Sequence, residues 1–158
     1  MPTKVPSAIP PFEAFVYASR AKDFPPGDLP DLVAQSARRN AAHLLTGVVL
    51  IGDGRFLQYV EGPPVPLLQL WNRLQHDPRH TNVALLYYAP APARRFPHWP
   101  MERFTARIDT AKLERLAQSP RTLQTDAGLQ LVLELLPLPA RTRGGRSAGG
   151  EGRTLRKR

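Results

Sequence analysis

Cysteine is absent from this 158-residue chain. Its absence excludes disulfides, thiol catalysis, and zinc or iron–sulfur centres held by thiolates. Long apolar runs are missing as well. No stretch approaches the roughly 20 apolar residues of a membrane helix, and the opening MPTKVPSAIPP lacks the apolar core of a secretion signal. No membrane partner is expected, and the expected location is the cytoplasm. The glycine-rich G-x-G-x-x-G dinucleotide turn is also lacking. The four histidines, His43, His76, His80 and His98, show no metal-ligand spacing and read as surface or turn residues, so no metal is expected.

Acidic residues are few, 13 against 22 Lys and Arg, and the net charge is +9. The imbalance is local. Seven basic residues between 141 and 158 face a single Glu151, so this tail carries +6 and residues 1–140 carry +3. A Gly/Arg/Ser-rich end of this kind reads as a solvated, disordered tail. Weak binding to nucleic acid or any other polyanion follows from its charge alone.

What is present is an ordered series of patterns. Residues 1–11 are proline-rich and read as an extended lead-in. From residue 12 to 19, Phe15, Tyr17 and Ser19 alternate with Ala14, Val16 and Ala18, the pattern of a half-buried strand. Residues 21–27 hold Pro25, Pro26 and Gly27 and read as a loop. Leu29, Leu32, Val33, Ser36 and Asn40 recur at helical steps and share one face, with Asp28 placed as N-cap and Pro30 in the first turn. Residues 45–51 form a continuous apolar run, as in a central strand. Gly52-Asp53-Gly54 is a hairpin signal. Residues 55–60 alternate again, with Phe56, Gln58 and Val60 on one face and Leu57 and Tyr59 on the other. A second helix is expected over 65–76, with Leu67, Leu70, Trp71 and Leu74 on one stripe. A turn at 77–80, a strand at 83–88, a proline-rich loop at 89–97 and a short strand at 99–104 follow. Helices are expected over 109–118 and 126–136, the second packing back on the sheet through Leu129, Val132, Leu133 and Leu136.

This order predicts an α+β fold: a ferredoxin-like βαββαββ arrangement, with a five-stranded mixed sheet, two helices on one face, and added C-terminal helices. The expected divisions are the lead-in at 1–11, a domain at 12–104, a helical extension at 105–138 and the basic tail at 139–158.

Two side-chain amides, Asn40 and Gln58, fall where apolar surface is expected. An amide carries donors and an acceptor, and leaving it unpaired when buried costs about 1–3 kcal/mol. Two on one apolar face suggest a polar ligand between them. Taken singly, Tyr17 reads as a strand tyrosine, Asn40 as a helix-end residue, and Trp99 and Met101 as core filler.

Taken together, the segments FVYASRA (15–21), SARRNAAHLLTG (36–47), GDGRFLQYVEG (52–62), DPRH (77–80) and RRFPHWPM (94–101) resemble the BLUF domain, a flavin-binding blue-light sensor module. They stand in that family's order and spacing and cover about two-thirds of the chain. The resemblance implies FAD bound without a covalent bond, with FMN or riboflavin as alternatives. It implies that Tyr17 and Gln58 carry the photochemistry: light-driven electron and proton transfer from Tyr17 toward the flavin, relayed by Gln58, whose amide ends rotated or in another tautomer. Ser19, Trp99 and Met101 match further residues of that switch, the last two in the final strand. Asn40 matches the family's flavin-binding asparagine.

Ser36, Arg38 and Arg39 beside Asn40 are expected to touch the cofactor, and Arg38, Arg39, Arg94 or Arg95 to meet its phosphates. The chain departs from the common pattern at Arg39, where many members have asparagine, and at Leu44, where many have glycine. The first bears on contacts to the flavin, the second on how the helix ends.

The implied function is a short photoreceptor, not an enzyme, acting on a separate and unidentified protein partner and forming a homo-oligomer. With about 50 residues after the core, no catalytic output domain is expected. Two other readings compete. One is a light-silent binding module on the same scaffold, associated with nucleic acid through its tail. The other is a phosphohydrolase of the acylphosphatase type, which shares the topology; no glycine-rich cradle follows Arg20 to support it.

Overall fold

The computed structural model describes residues 10–22, 26–118 and 125–136. The expectations for residues 1–9 and for the basic tail lie outside these. In chain order the elements are β1 (Phe12–Ala21), α1 (Leu29–Ala42), β2 (Thr46–Gly52), β3 (Arg55–Gly62), α2 (Pro64–His76), β4 (His80–Ala91), β5 (Glu102–Thr105), α3 (Thr110–Ala117) and α4 (Asp126–Leu133). A short 3-10 turn at Pro26–Asp28 leads into α1. Asp28 stands at the N-cap, as expected, but its side chain makes no capping bond. No helix of the described residues is long and apolar enough to cross a membrane.

The sheet order is β4-β1-β3-β2-β5. β1 runs antiparallel to β3 and β4, β2 antiparallel to β3, and β5 parallel to β2, so the sheet is mixed, as expected. The β2–β3 hairpin closes on Asp53 and Gly54, with φ of 51° and 69°. Positive φ at both central residues is the two-residue turn whose twist matches its strands, and Asp-Gly is a favoured pair for it. Strand alternation then sorts the side chains. Phe15, Tyr17 and Val60 pack with Leu67, Leu70 and Leu74 of α2 on one face. Val16, Val48, Leu50, Leu57 and Tyr59 pack on the other with Leu113 of α3 and with Leu129, Val132, Leu133 and Leu136.

Because α3 and α4 cover this second face, residues 14–19 are buried on both sides. β1 is therefore a central strand, not the half-buried one that its alternation suggests. β4 also runs longer than its apolar stretch predicts, from His80 through Ala91. The register between β1 and β4 slips between Val16 and Tyr17 and again between Ala18 and Arg20, and Asn82 takes φ of 50° there. Such bulges re-aim neighbouring side chains, and this one bears directly on the cleft below.

Asn40 is the single buried residue of α1; Leu32, Val33 and Ser36 are half-buried, since that face lines a cleft instead of closing on the sheet. The helix ends with the Leu45 amide donating to the Asn40 carbonyl at 2.8 Å and the Leu44 amide donating to Ala41 at 3.2 Å. These are the two bonds of a Schellman motif, which wants glycine at its left-handed position. Leu44 holds that position with φ of 59° and is 65% exposed. Left-handed backbone costs an ordinary L-residue about 1–2 kcal/mol. Leu44→Gly is therefore expected to raise unfolding stability by about 0.5–1 kcal/mol, part of the gain being offset by glycine's looser unfolded chain. Urea denaturation of both proteins checks this. Gly47, just beyond, cannot be replaced so easily: a Cβ there would stand 2.0 Å from the Tyr59 carbonyl oxygen.

Candidate functional site

A cleft opens between α1 and α2 over the sheet. Its walls are apolar: Leu32 and Val33 from α1, Val49, Ile51 and Phe56 from the hairpin strands, Leu70 and Leu74 from α2. Set into these walls are the polar groups Tyr17, Asn40, Gln58 and His80 with the thioether of Met101, and Arg39, Arg73, Asp77 and Arg79.

Register explains why Tyr17 and Gln58 meet. They are direct partners across β1 and β3, on the cleft face. The Tyr17 hydroxyl donates to Gln58 Oε1 at 2.6 Å, and Gln58 Nε2 donates to Met101 Sδ at 3.1 Å. The partners settle how the amide points. A phenol next to Oε1 can donate, and a thioether next to Nε2 can only accept. Asn40 Nδ2 donates to the Pro100 carbonyl at 3.0 Å, which ties the end of α1 to the segment carrying Met101.

Burial, with the Asp77 carboxylate as a lesser cause and Arg79 opposing, pushes the Tyr17 phenol well above its usual 10.0. The folded chain thus holds this proton more tightly than the unfolded chain does. The stability so conferred is complete below pH 10.0 and is lost as pH rises toward the folded value. Denaturant midpoints are expected to fall as pH is raised past about 10, and to fall less steeply in Tyr17→Phe.

His80 departs from its expectation as a turn or surface residue. It opens β4 and lines the cleft, with its ring centroid 4.9 Å from that of Phe56 and its Nδ1 2.8 Å from Ser19 Oγ. Burial holds its imidazole below the usual range. Arg79 Nε donates to Asp77 Oδ1 at 2.8 Å, and this pairing holds the Asp77 carboxyl below its usual range. The pair fixes the turn that carries His80.

Of the sequence-predicted residues, Tyr17, Ser36, Arg39, Asn40, Gln58 and Met101 line one cleft. Ser19 is buried behind it against His80. Arg38 is exposed and does not line it. Arg94 turns to Thr46 Oγ1 and the Leu44 carbonyl, and Arg95 offers its backbone amide to Glu61. Trp99 lies before β5 instead of within it, and it packs between Phe96 and Phe104 with the core of the opposite face. Met101, also just ahead of β5, is the one that reaches the cleft. Arg73 and Arg79 were not singled out by sequence. The DPRH segment was the available signal for Arg79. Arg73 sits one turn from Leu70 on α2 and carries no local signal.

These groups fit a flavin. Apolar walls suit a flat ring, amides of both polarities suit its polar edge, and three arginines at the cleft suit phosphate. Among the described residues, no group of three or more His, Asp or Glu could hold a metal ion.

Residues 12–102 match the family model described as BLUF, sensors of blue-light using FAD. The chain is 33% identical over 105 residues to the photoactivated adenylate cyclase subunit beta of Euglena gracilis, covering 62% of this chain and 12% of that protein. It is 34% identical over 94 residues to the blue light- and temperature-regulated antirepressor BluF of Escherichia coli (strain K12), covering 59% of this chain and 23% of that one. The chain therefore spans less than a quarter of the length of these curated relatives. Among solved structures it is similar to the dark state of BlrB, a BLUF protein, with a TM-score of 0.63 and 25% identity over 80% of this chain and 96% of that one. The match of sheet, cleft and segments leads to one family: this chain belongs to the BLUF domains, flavin-binding sensors of blue light.

Proposed function

We propose that this chain binds FAD non-covalently in the cleft between α1 and α2 and uses Tyr17, Gln58 and Met101 as its light switch. The observation that carries this reading is the 2.6 Å bond from the Tyr17 hydroxyl to Gln58 Oε1 in the cleft wall, backed by Met101 on the other side of the same amide. Bound flavin supplies blue-light absorption and, once excited, a strong oxidant. The protein supplies the rest. Asn40, at the rigid end of a helix, keeps Oδ1 and one Nδ2 hydrogen for the polar edge of the ring beyond its bond to Pro100. Arg39, Arg73 and Arg79 offer charge to the phosphates of the cofactor tail. That charge favours a phosphorylated flavin over riboflavin.

The amide of Gln58 is a two-state element. As it stands, Oε1 accepts from Tyr17 and Nε2 donates to Met101. Turned over, Nε2 would donate to the phenol oxygen, and Oε1 would face a thioether that has no proton to give. The turned state therefore forfeits one partner and reverts in the dark. While it lasts it changes what Met101 and its segment rest against. The signal passes through residues 94–101 and the helices packed on the far face of the sheet to a separate effector protein. The chain thus works as a sensor whose output is an altered protein contact.

Absorption spectra of the purified chain, reconstituted with FAD or FMN and taken before and after blue light, test the proposal. A reversible red shift of the flavin bands supports it, and tighter uptake of FAD than of FMN supports the assignment of the arginines. Bound flavin without a shift leaves the site and removes the switch. A chain that stays colourless favours a light-silent module.

A further inference from the structure

Behind the cleft, on the other face of β3, lies a fully buried acidic side chain that the switch does not touch. Glu61 is 0% exposed and directly faces Ala14 and Thr46 across the sheet. Its Oε1 accepts from Thr46 Oγ1 at 3.1 Å and from the Phe96 amide at 2.6 Å. Its Oε2 accepts from the Tyr59 hydroxyl at 2.9 Å and from the Arg95 amide at 2.7 Å. Two consecutive backbone amides are thus captured by the two oxygens of one carboxylate. Outside this ring, Arg94 donates to Thr46 Oγ1 at 3.0 Å and to the Leu44 carbonyl at 2.6 Å, with its guanidinium 4.7 Å over the Phe12 ring.

The captured residues begin the segment that ends at the switch. Phe96 stacks on Trp99, with centroids 5.4 Å apart and planes 8° from parallel. The Trp99 carbonyl accepts from the Gly47 amide at 2.7 Å, the Pro100 carbonyl from Asn40, and Met101 from Gln58. Residues 94–101 are therefore held at one end by Glu61 and at the other by the cleft amides.

We propose that Glu61 is a positioning residue of the switch: by fixing residues 94–96 it sets the segment so that Met101 forms the wall against which the Gln58 amide turns. The inference rests on the switch reading above. A carboxylate is the group that suits the place, because it accepts from four donors at once. An amide has one oxygen, so Glu61→Gln turns an NH2 group onto groups that are themselves donors. The segment loosens, the wall yields more readily, and thermal return of Gln58 after illumination speeds up.

The test compares the full chain with Glu61→Gln. In the cofactor-free proteins, hydrogen–deuterium exchange of residues 94–101 is read. In the FAD-loaded proteins, dark recovery after blue light is read. Expected are faster exchange in that segment and, with the red shift retained, recovery faster by about fivefold, the rate equivalent of one lost buried hydrogen bond. Arg94→Ala, at the surface end of the same network, is expected to move both readouts the same way by less, and it serves if Glu61→Gln does not fold. Asp53→Ala, which removes the carboxylate that accepts from the Ile108 amide at 2.9 Å at the far tip of the β2–β3 hairpin, is expected to lower stability and leave recovery at the wild-type rate. Wild-type exchange and recovery in Glu61→Gln overturn the inference, as does equal acceleration in Asp53→Ala. A wild-type chain that binds flavin without a shift overturns the switch reading and this one with it. A wild-type shift with unchanged recovery in the variants overturns this inference alone.

Discussion

Gln58→Leu is expected to give a protein that takes up flavin, absorbs blue light, and shows no light-induced red shift. Leucine nearly matches glutamine in volume and keeps the cleft wall filled. It neither accepts from Tyr17 nor donates to Met101, so it removes the element with two hydrogen-bonding orientations. The change carries a second signature. The Tyr17 hydroxyl, buried and donating to Gln58 at 2.6 Å, is left without its partner. An orphaned buried hydroxyl costs about 1–3 kcal/mol, and the unfolding free energy of the variant should fall by that amount. Adding Tyr17→Phe removes the orphan. The double variant is expected to regain part of the loss, so the double-mutant cycle should show a coupling of about 1 kcal/mol or more between the two positions. Denaturation of the four proteins without flavin reads this coupling independently of any photochemistry.

Asn40→Ala is expected to act on the cofactor instead. The side chain is 2% exposed at the end of α1 and holds the Pro100 carbonyl at 3.0 Å. In the proposed binding mode its loss removes hydrogen bonds to the flavin edge, and it also unties α1 from the segment on which Met101 sits. Each hydrogen bond lost from a site of this kind is worth about 1 kcal/mol, and two of them amount to a roughly 30-fold rise in Kd. Titration of free flavin, followed by the quenching of its fluorescence, measures this. A Kd within twofold of wild type would remove Asn40 from the binding site. Asn40→Asp separates the roles. It keeps an acceptor but offers no donor to Pro100, so it should weaken binding less than alanine does if flavin contact dominates.

Much of this was legible in the sequence because the signals are local. Asp53-Gly54 between a continuous apolar run and an alternating one gives the hairpin, which sets Gln58 across from Val49, and the alternation of residues 55–60 sorts Gln58 onto one face of β3. The helical spacing from Leu29 to Asn40 places an amide at a helix end, and the structure buries it there. Leu44 in place of the usual glycine pointed to the helix end, where a strained left-handed residue is found.

The rest depended on contacts between distant segments. The bulge at Asn82, which brings His80 into the cleft beside Ser19, comes from a register slip between β1 and β4 that neither strand encodes alone. Trp99 and Met101 are two residues apart, and alternation alone places both on one face of a strand. The chain at 97–101 is not a strand: β5 begins at Glu102, and Trp99 turns to the opposite core. Arg38 and Arg39 differ by one helical step of about 100°, enough to put one on the cleft and the other in solvent. The burial of β1 on both faces followed from α3 and α4, which begin about 90 and about 105 residues downstream.

The central claim is that the Gln58 side-chain amide changes its hydrogen bonds on illumination while Tyr17 and Met101 remain its neighbours. The most direct measurement is a light-minus-dark infrared difference spectrum of the FAD-loaded chain carrying isotope-labelled glutamine. A shift in the side-chain amide carbonyl band that decays in step with the visible red shift, and is absent from Gln58→Leu, is the predicted result. A red shift of the flavin bands with no change in the glutamine bands would contradict the account.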